Sequence, residues 1–333
     1  MTAETAAECR NIGQARAVWY VAPAQAEIRA APLPEGGPGE LLVATRWSAV
    51  SRGTERLVFA GLNDAAHRAA MRAPMQEGEF PFPVKYGYCA VGRVEDGPPN
   101  LVGRDVFALH PHQDRFRVPA ALATPVPEGV PARRATLAAN METALNALWD
   151  SGAGAGDRIV VVGAGLVGLL VAFLAARLPG AEVTAIDPDP ARAGIAAALG
   201  ARWRAEPDGR ADADVVFHTS ATAAGLEAAV GCCGQEARLI EMSWYGDRKV
   251  SVGLGGAFHS RRIALVSSQV GSVPTARRPR WDFARRRAMA LALLADERLD
   301  ALITDEVAFD DLPARLGRIL GEGAPGIATV IRY

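Results

Sequence analysis

The sequence predicts a mixed α/β protein in two parts, an antiparallel, barrel-like β domain followed by a parallel, doubly wound sheet. Three observations carry this. Short β-rich runs separated by Pro- and Gly-rich turns fill the first part of the chain. After Pro131 strands alternate with helices, the pattern of a parallel sheet with crossover connections. A glycine-rich turn, Gly163-Ala164-Gly165-Leu166-Val167-Gly168, joins an apolar strand to an apolar helix. At roughly 100–200 residues per domain, the 333 residues hold about two domains.

In chain order, residues 1–14 are polar and Ala-rich and read as a flexible tail. Runs 17–21, 27–30 and 41–47 have β character and are separated by Pro-Leu-Pro and Gly-Gly-Pro-Gly turns; 90–95, 105–109 and 115–118 follow, punctuated by Gly-Pro-Pro and Pro-Val-Pro. Helical spacing over 135–149 opens the second part. Strands are expected at 158–162, 182–186, 214–218, 238–242 and 263–267, with helices between them, which makes this half a Rossmann-type sheet. A helix over 285–294 and a strand over 327–331 close the chain, the strand returning to the first domain. The divisions are therefore 1–14, 15–130, 131–272 and 273–333, the last completing both domains.

Charge and composition exclude several classes of function. With 36 Lys+Arg against 37 Asp+Glu the net charge is −1, so no global field draws the protein to nucleic acid or to an anionic membrane. Cys9, Cys89, Cys232 and Cys233 form neither a disulfide framework nor a CxxC…CxxC metal site, which suits a reducing, cytoplasmic setting. The start Met-Thr-Ala-Glu-Thr-Ala-Ala-Glu lacks the basic end and apolar core of a signal peptide. Residues 159–176 are uncharged and long enough to span a membrane, yet their three glycines divide them into strand, turn and helix.

In the glycine turn, Gly163 makes the tight bend, Gly165 lets a pyrophosphate approach the backbone, and Gly168 lets helix pack on strand. Leu166 and Val167 open the helix whose N-terminus faces the anion. Asp187, at the end of the next strand, can accept both adenosine ribose hydroxyls, which favours NAD(H) over NADP(H). Arg192 lies close enough to serve a 2′-phosphate, but the Asp187 carboxylate would repel that group. The carboxyl ends of the remaining strands nominate Ser220, Ser243, Trp244 and Ser268 as further cofactor contacts. The arginines at 277, 278, 280 and 285–287 either solvate a helix face or grip an anionic group of the substrate.

With the β domain first and the Rossmann domain second, the chain resembles the medium-chain dehydrogenase/reductase superfamily. Pro38-Gly39-Glu40-Leu41-Leu42-Val43 is similar to its PGPGEVLV entry segment and residues 152–168 to its dinucleotide block. Leu302-Ile303-Thr304 with Val307-Ala308-Phe309 is similar to its closing segment. The resemblance implies a GroES-like catalytic barrel, a small-molecule substrate, a homodimer, and a nicotinamide near Thr143.

Zinc-dependent members carry a Cys-Gly-x-Cys-Gly-Thr-Asp segment, a Gly-His-Glu segment and a four-cysteine lobe. Here the first corresponds to Ala49-Val50-Ser51-Arg52-Gly53-Thr54-Glu55, placing Ser51 or Arg52 where a thiolate would be. The second corresponds to Gly87-Tyr88-Cys89, and the lobe has no counterpart. One cysteine and one tyrosine are not a zinc donor set, so neither a catalytic nor a structural zinc is expected. Ser51 to Glu55 and Gly87-Tyr88 also resemble the bacteriochlorophyllide-type dehydrogenases, which oxidise a secondary hydroxyethyl group.

Without a metal, side chains must steady the substrate oxygen or move its proton. Tyr88 is the first candidate, with Lys85 three residues earlier placed to lower its pKa. Ser51 and Thr54 can donate or relay, Glu142 can act as a general base, and His112 of His110-Pro111-His112-Gln113 can contact substrate or shuttle a proton. The expected function is zinc-independent, NAD(H)-dependent interconversion of an alcohol and a carbonyl compound. Alternatives are a quinone or enone reductase and a non-catalytic dinucleotide-binding protein.

Overall fold

The computed structural model describes residues 14–63 and 65–333. The flexible-tail reading of 1–13 lies outside the described residues, while Gln14, placed in that tail, opens the first strand. The first part contains strands β1 (Gln14–Ala22), β2 (Gln25–Pro32) and β3 (Glu40–Val50), followed by helices α1 (Arg52–Phe59) and α2 (Arg68–Met71). Strands β4 (Glu77–Gly78), β5 (Val84–Lys85), β6 (Ala90–Asp96), β7 (Asp105–Ala108), β8 (Arg115–Pro119) and β9 (Ala123–Pro125) complete it. One sheet runs β2-β1-β5-β4. β3, β6, β7 and β9 belong to a second sheet, with β8 paired on β3. Helix α1 was not anticipated: it begins within the altered metal motif, and it buries Glu55, Leu57, Val58 and Phe59.

Helices α3 (Ala132–Ala135) and α4 (Ala138–Ser151) replace the single helix expected over 135–149, and α4 stops at Gly152, whose φ of 69° is left-handed. The Rossmann half then runs β10 (Arg158–Val162), α5 (Leu166–Ala175), β11 (Glu182–Ile186), α6 (Arg192–Ala198), β12 (Arg202–Arg204), β13 (Ala213–His218), α7 (Ala223–Cys232), β14 (Cys233–Glu241) and β15 (Ala264–Ser267). The sheet order is β12-β11-β10-β13-β14-β15, all parallel, the doubly wound arrangement with its switch point beside β10. Helix α8 (Phe283–Leu293) packs on α4. Strand β16 (Ile303–Ala308), helix α9 (Leu312–Leu320) and strand β17 (Ala328–Arg332) end the chain.

The apolar run from 159 to 176 is a buried strand, turn and helix. Among the described residues no helix is long and apolar enough to cross a membrane. Residues 168–175 of α5 are all buried, which is why that helix carries no polar face. β17 pairs antiparallel with β3, with Thr329 opposite Val50 and Arg332 opposite Trp47, so the chain leaves the Rossmann sheet and re-enters the barrel.

Strand β10 and helix α5 approach closely at the turn between them. A Cβ added at Gly168 would lie 1.9 Å from the Gly163 carbonyl oxygen, and Gly163 itself has φ +102°. The contact involves backbone, so nothing flexible can give way. Gly168→Ala should therefore cost about 1–3 kcal/mol, the range for forcing an extra methyl into a packed site; urea unfolding of the variant beside the parent protein measures it.

Candidate active site

The first wall of the site is the dinucleotide turn. Gly165 caps α5, and a Cβ there would meet nothing within 4 Å, so the helix N-terminus is open to an anion. Leu166 and Val167 are half-buried behind it. Asp187 Oδ2 accepts a hydrogen bond from the Ala164 amide at 2.8 Å and Oδ1 accepts from the Asp189 amide at 2.9 Å. Each oxygen keeps a lone pair for a ribose hydroxyl. Arg192 is committed elsewhere: it pairs with Asp189 at 3.1 Å and donates to the Gly326 carbonyl at 2.9 Å, so it is not free for a 2′-phosphate in this arrangement.

The strand-end residues divide. Ser220 and Ser243 join a hydrogen-bonded cluster with His218. Trp244 packs against the barrel core, carrying the Rossmann half onto α1. Ser268 donates to Asp150 at 2.7 Å, and Thr143 donates back to the Ala139 carbonyl at 3.1 Å, so both hydroxyl protons have protein partners.

The second wall belongs to the barrel. Of the two residues that could stand in the thiolate position, Ser51 faces inward and takes a hydrogen bond from Asn140 Nδ2 at 3.3 Å. Arg52 points the other way and donates to the carbonyls of Ala324 and Gly326. Tyr88 is half-buried beside the hydroxyls of Ser51 and Thr54. Burial first, then the charges of Cys89 and Glu55, push its phenol well above its ordinary value, against the weaker pull of those two hydroxyls. Tyr88 is therefore a neutral donor at physiological pH.

Lys85 does not lower it. Its ammonium is taken by Glu77 and by Gln113 Oε1, the latter at 2.7 Å, and burial lowers its own pKa.

Sequence reasoning missed the groups beneath this wall. Glu55 is fully buried; Oε2 accepts from the Tyr20 hydroxyl at 2.7 Å and pairs with His112 Nε2 at 3.1 Å, while Oε1 accepts from the Ser51 amide at 2.6 Å. His112 Nδ1 lies 2.9 Å from Ser48 Oγ, so both ring nitrogens are engaged inside the barrel. Asn140 was missed because a lone Asn within a helix gives no spacing signal; its Oδ1 is buried without a partner. Cys89 is buried in the apolar core, and burial raises its thiol.

Glu142 faces α8, where Arg286 and Arg287 hold its two oxygens at 3.2 Å. This corrects the general-base reading, since both carboxylate oxygens are already taken by guanidiniums. The arginine run is likewise structural in part: Arg286 also donates to Asn146 Oδ1 at 2.6 Å, and Arg277 and Arg285 stack over Trp149 and Trp281. His110 stacks on Phe116 with centroids 3.8 Å apart, and burial depresses it to about 3.

No family model matches the chain. D-guloside 3-dehydrogenase of Escherichia coli (strain K12) is 26% identical over 202 residues, covering 56% of this chain and 58% of that protein. The chain thus spans less than two thirds of the length of the curated relative it matches. L-idonate 5-dehydrogenase from Escherichia coli K-12 superposes with a TM-score of 0.78 at 13% identity, over 96% of this chain and 98% of that one. A Sinorhizobium meliloti 1021 protein described as a zinc-binding dehydrogenase and bound to NADP gives 0.76 at 17%, over 96% and 99%. The chain has the medium-chain dehydrogenase/reductase fold. Within that fold, the dinucleotide turn with the Rossmann strand ends and the Ser51–Tyr88–Asn140 cluster are the two parts of the candidate active site.

Two expectations follow. Arg286→Met leaves the buried Glu142 with one partner and should cost about 3–5 kcal/mol in urea unfolding, as breaking a buried ion pair does. His110 stays unprotonated in the folded barrel while the unfolded chain takes up a proton below about 6.5. Its contribution to stability is thus full above that pH and lost as pH falls toward about 3. In His110→Phe, unfolding measured across this window should show a shallower loss with acid.

Proposed function

We propose that the protein is a zinc-independent, NAD(H)-dependent dehydrogenase that interconverts a secondary alcohol of a sugar-like compound and the corresponding ketone. The observations that carry this are an open helix N-terminus with Asp187 in the Rossmann half, and a cluster of Ser51, Tyr88 and the unpartnered Asn140 Oδ1. The guloside dehydrogenase among the relatives supports a sugar-like substrate.

The dinucleotide fits the turn. Gly165 leaves room for a pyrophosphate, the amides of α5 can donate to it, and Asp187 can accept from a ribose diol. When bound, it supplies the hydride acceptor. A 2′-phosphate would meet the Asp187 carboxylate, which supports NAD over NADP.

A zinc ion does not fit. The former ligand positions present a serine hydroxyl and a phenol whose pKa is raised. The nearby Cys89 lies in the core with its thiol pKa raised, whereas zinc requires deprotonated sulfur, imidazole or carboxylate.

Asn140 Oδ1 accepts from a substrate hydroxyl, fixing its orientation. The neutral Tyr88 phenol and the Ser51 hydroxyl donate to the substrate oxygen and stabilise negative charge on it. Glu55 positions Ser51 through the Ser51 amide. We also propose a homodimer, joined along β15, the open edge of the six-stranded sheet, where Leu265 is 43% exposed.

Chelator-treated protein tests the reading. NADH should bind at least about tenfold more tightly than NADPH by fluorescence titration, a difference of about 1.4 kcal/mol. A panel of alkyl glycosides and polyols with NAD should give absorbance at 340 nm, and Tyr88→Phe should lower kcat about 100-fold, as loss of one oxyanion donor does. A requirement for stoichiometric zinc, or a preference for NADPH, overturns it.

A further inference from the structure

A second polar cluster lies at the carboxyl ends of β13 and β14, on the Rossmann wall. His218 and Glu241 are register partners at the ends of these strands. The imidazole is fully buried, with Nδ1 2.8 Å from Glu241 Oε2 and Nε2 2.8 Å from Ser220 Oγ. Burial raises the Glu241 pKa, but the hydrogen bonds from His218 and from the Ser243 amide oppose it, and the net direction is down. Tyr245 donates to the same carboxylate at 3.1 Å.

The donor and acceptor inventory fixes the protons. An ionised carboxylate only accepts, so His218 Nδ1 carries the hydrogen, and the relay uses the ring form in which Nε2 is free to accept. Ser220 is therefore the donor to Nε2. Thr222 Oγ1 accepts from the Gly225 amide at 3.0 Å, which leaves its own hydrogen for Ser220 Oγ, also at 3.0 Å. Ser220 Oγ is left with a lone pair free to accept from a ligand.

The backbone is shaped around this contact. Ala221, directly after Ser220, has φ +54°, a left-handed conformation unusual for a residue with a Cβ, and its amide is held by Ser243 Oγ at 3.1 Å. A Cβ on Gly225 would lie 2.0 Å from Ser220 Oγ and 3.0 Å from His218 Nε2, so only glycine leaves the serine room to reach the imidazole. Thr219 Oγ1 donates to the Gly163 carbonyl at 2.7 Å, which sets Ser220 beside the dinucleotide turn. The half-buried Ser220 is thus an accessible hydroxyl backed by a buried base and a carboxylate.

We propose that Ser220, His218 and Glu241 form a proton-accepting relay. A hydroxyl docked against Ser220 passes its proton to Oγ while the Ser220 proton moves to His218 Nε2, leaving an imidazolium paired with Glu241. The role in catalysis rests on the dehydrogenase reading above: an alcohol oxidised by hydride loss must also lose a proton, and the relay receives it. The activation of Ser220 is a property of the protein alone.

An alkyl fluorophosphonate reads that activation without cofactor or substrate. The Ser220 Oγ–phosphorus bond forms, fluoride leaves, and the serine proton goes to His218. Peptide mass spectrometry of the full chain should find the adduct on Ser220 and none there in Ser220→Ala. The rate should fall at least about 100-fold in His218→Gln, the scale of a lost general base. Glu241→Gln should slow it, and Gly225→Ala should abolish it although the three relay residues remain. Thermal melts of each variant separate loss of labelling from loss of fold. No adduct on Ser220, or an unchanged rate in a folded His218→Gln protein, overturns the relay. NADH should slow labelling; an adduct that forms at the same rate with NADH present keeps the relay and overturns the placement of the cofactor.

Discussion

The barrel wall is organised by one buried carboxylate. Glu55 has no access to water, and an ionised group in that position is tolerated only when its oxygens are filled by donors. Tyr20 from β1, the Ser51 amide at the end of β3, and His112 from the loop before β8 supply them. Three separate segments are thereby tied to one point. Because the Ser51 amide is among them, the Ser51 hydroxyl in the candidate site is fixed by the group that holds the barrel together. His112 extends the network to Ser48 and on to Tyr333, which brings the region of β17 into the same system.

The Rossmann wall is held differently. There the fixed element is backbone contact between β10 and α5, with Thr219 bonded to the carbonyl of Gly163. The two walls meet through Trp244, which leaves the end of β14 and packs into the barrel core, and through α4, which presents Asn140 to Ser51 on one side and packs on α5 on the other. Asn140 Nδ2 thus satisfies Ser51 Oγ across the domain boundary, while its own Oδ1 is left without a partner.

Much of this architecture was legible in the sequence because its signals are local. The glycine spacing at 163–168 and the alternation after Pro131 state the doubly wound sheet, and Asp187 was found by its distance from the turn. Ser51 and Tyr88 were legible as departures from a motif. Glu55, Asn140 and the His218–Glu241 pair were not, because what makes them matter is burial and partners distant in sequence. Glu142 and Lys85 show the same limit in reverse. Each has a residue type suited to chemistry and a suggestive neighbour, yet each is occupied by a partner that no spacing rule reveals: Arg286 and Arg287 for one, Glu77 and Gln113 for the other. Helix α1 was hidden because no apolar spacing marks its first residues, and its helical face is set by burial of Leu57 and Phe59.

The return of β17 to β3 bears on how the chain acquires its structure. The Rossmann sheet is assembled from strands lying within one continuous stretch of the chain, so its contacts close shorter loops than those of the barrel. The seven-stranded sheet is different, since it joins residues as far apart as Ser48 and Tyr333, separated by 285 positions. Closing so long a loop is entropically late, and it cannot happen until the intervening half has emerged. The part that begins first in sequence is therefore completed last, and the Ser51 wall reaches its final form only on a Rossmann half already in place.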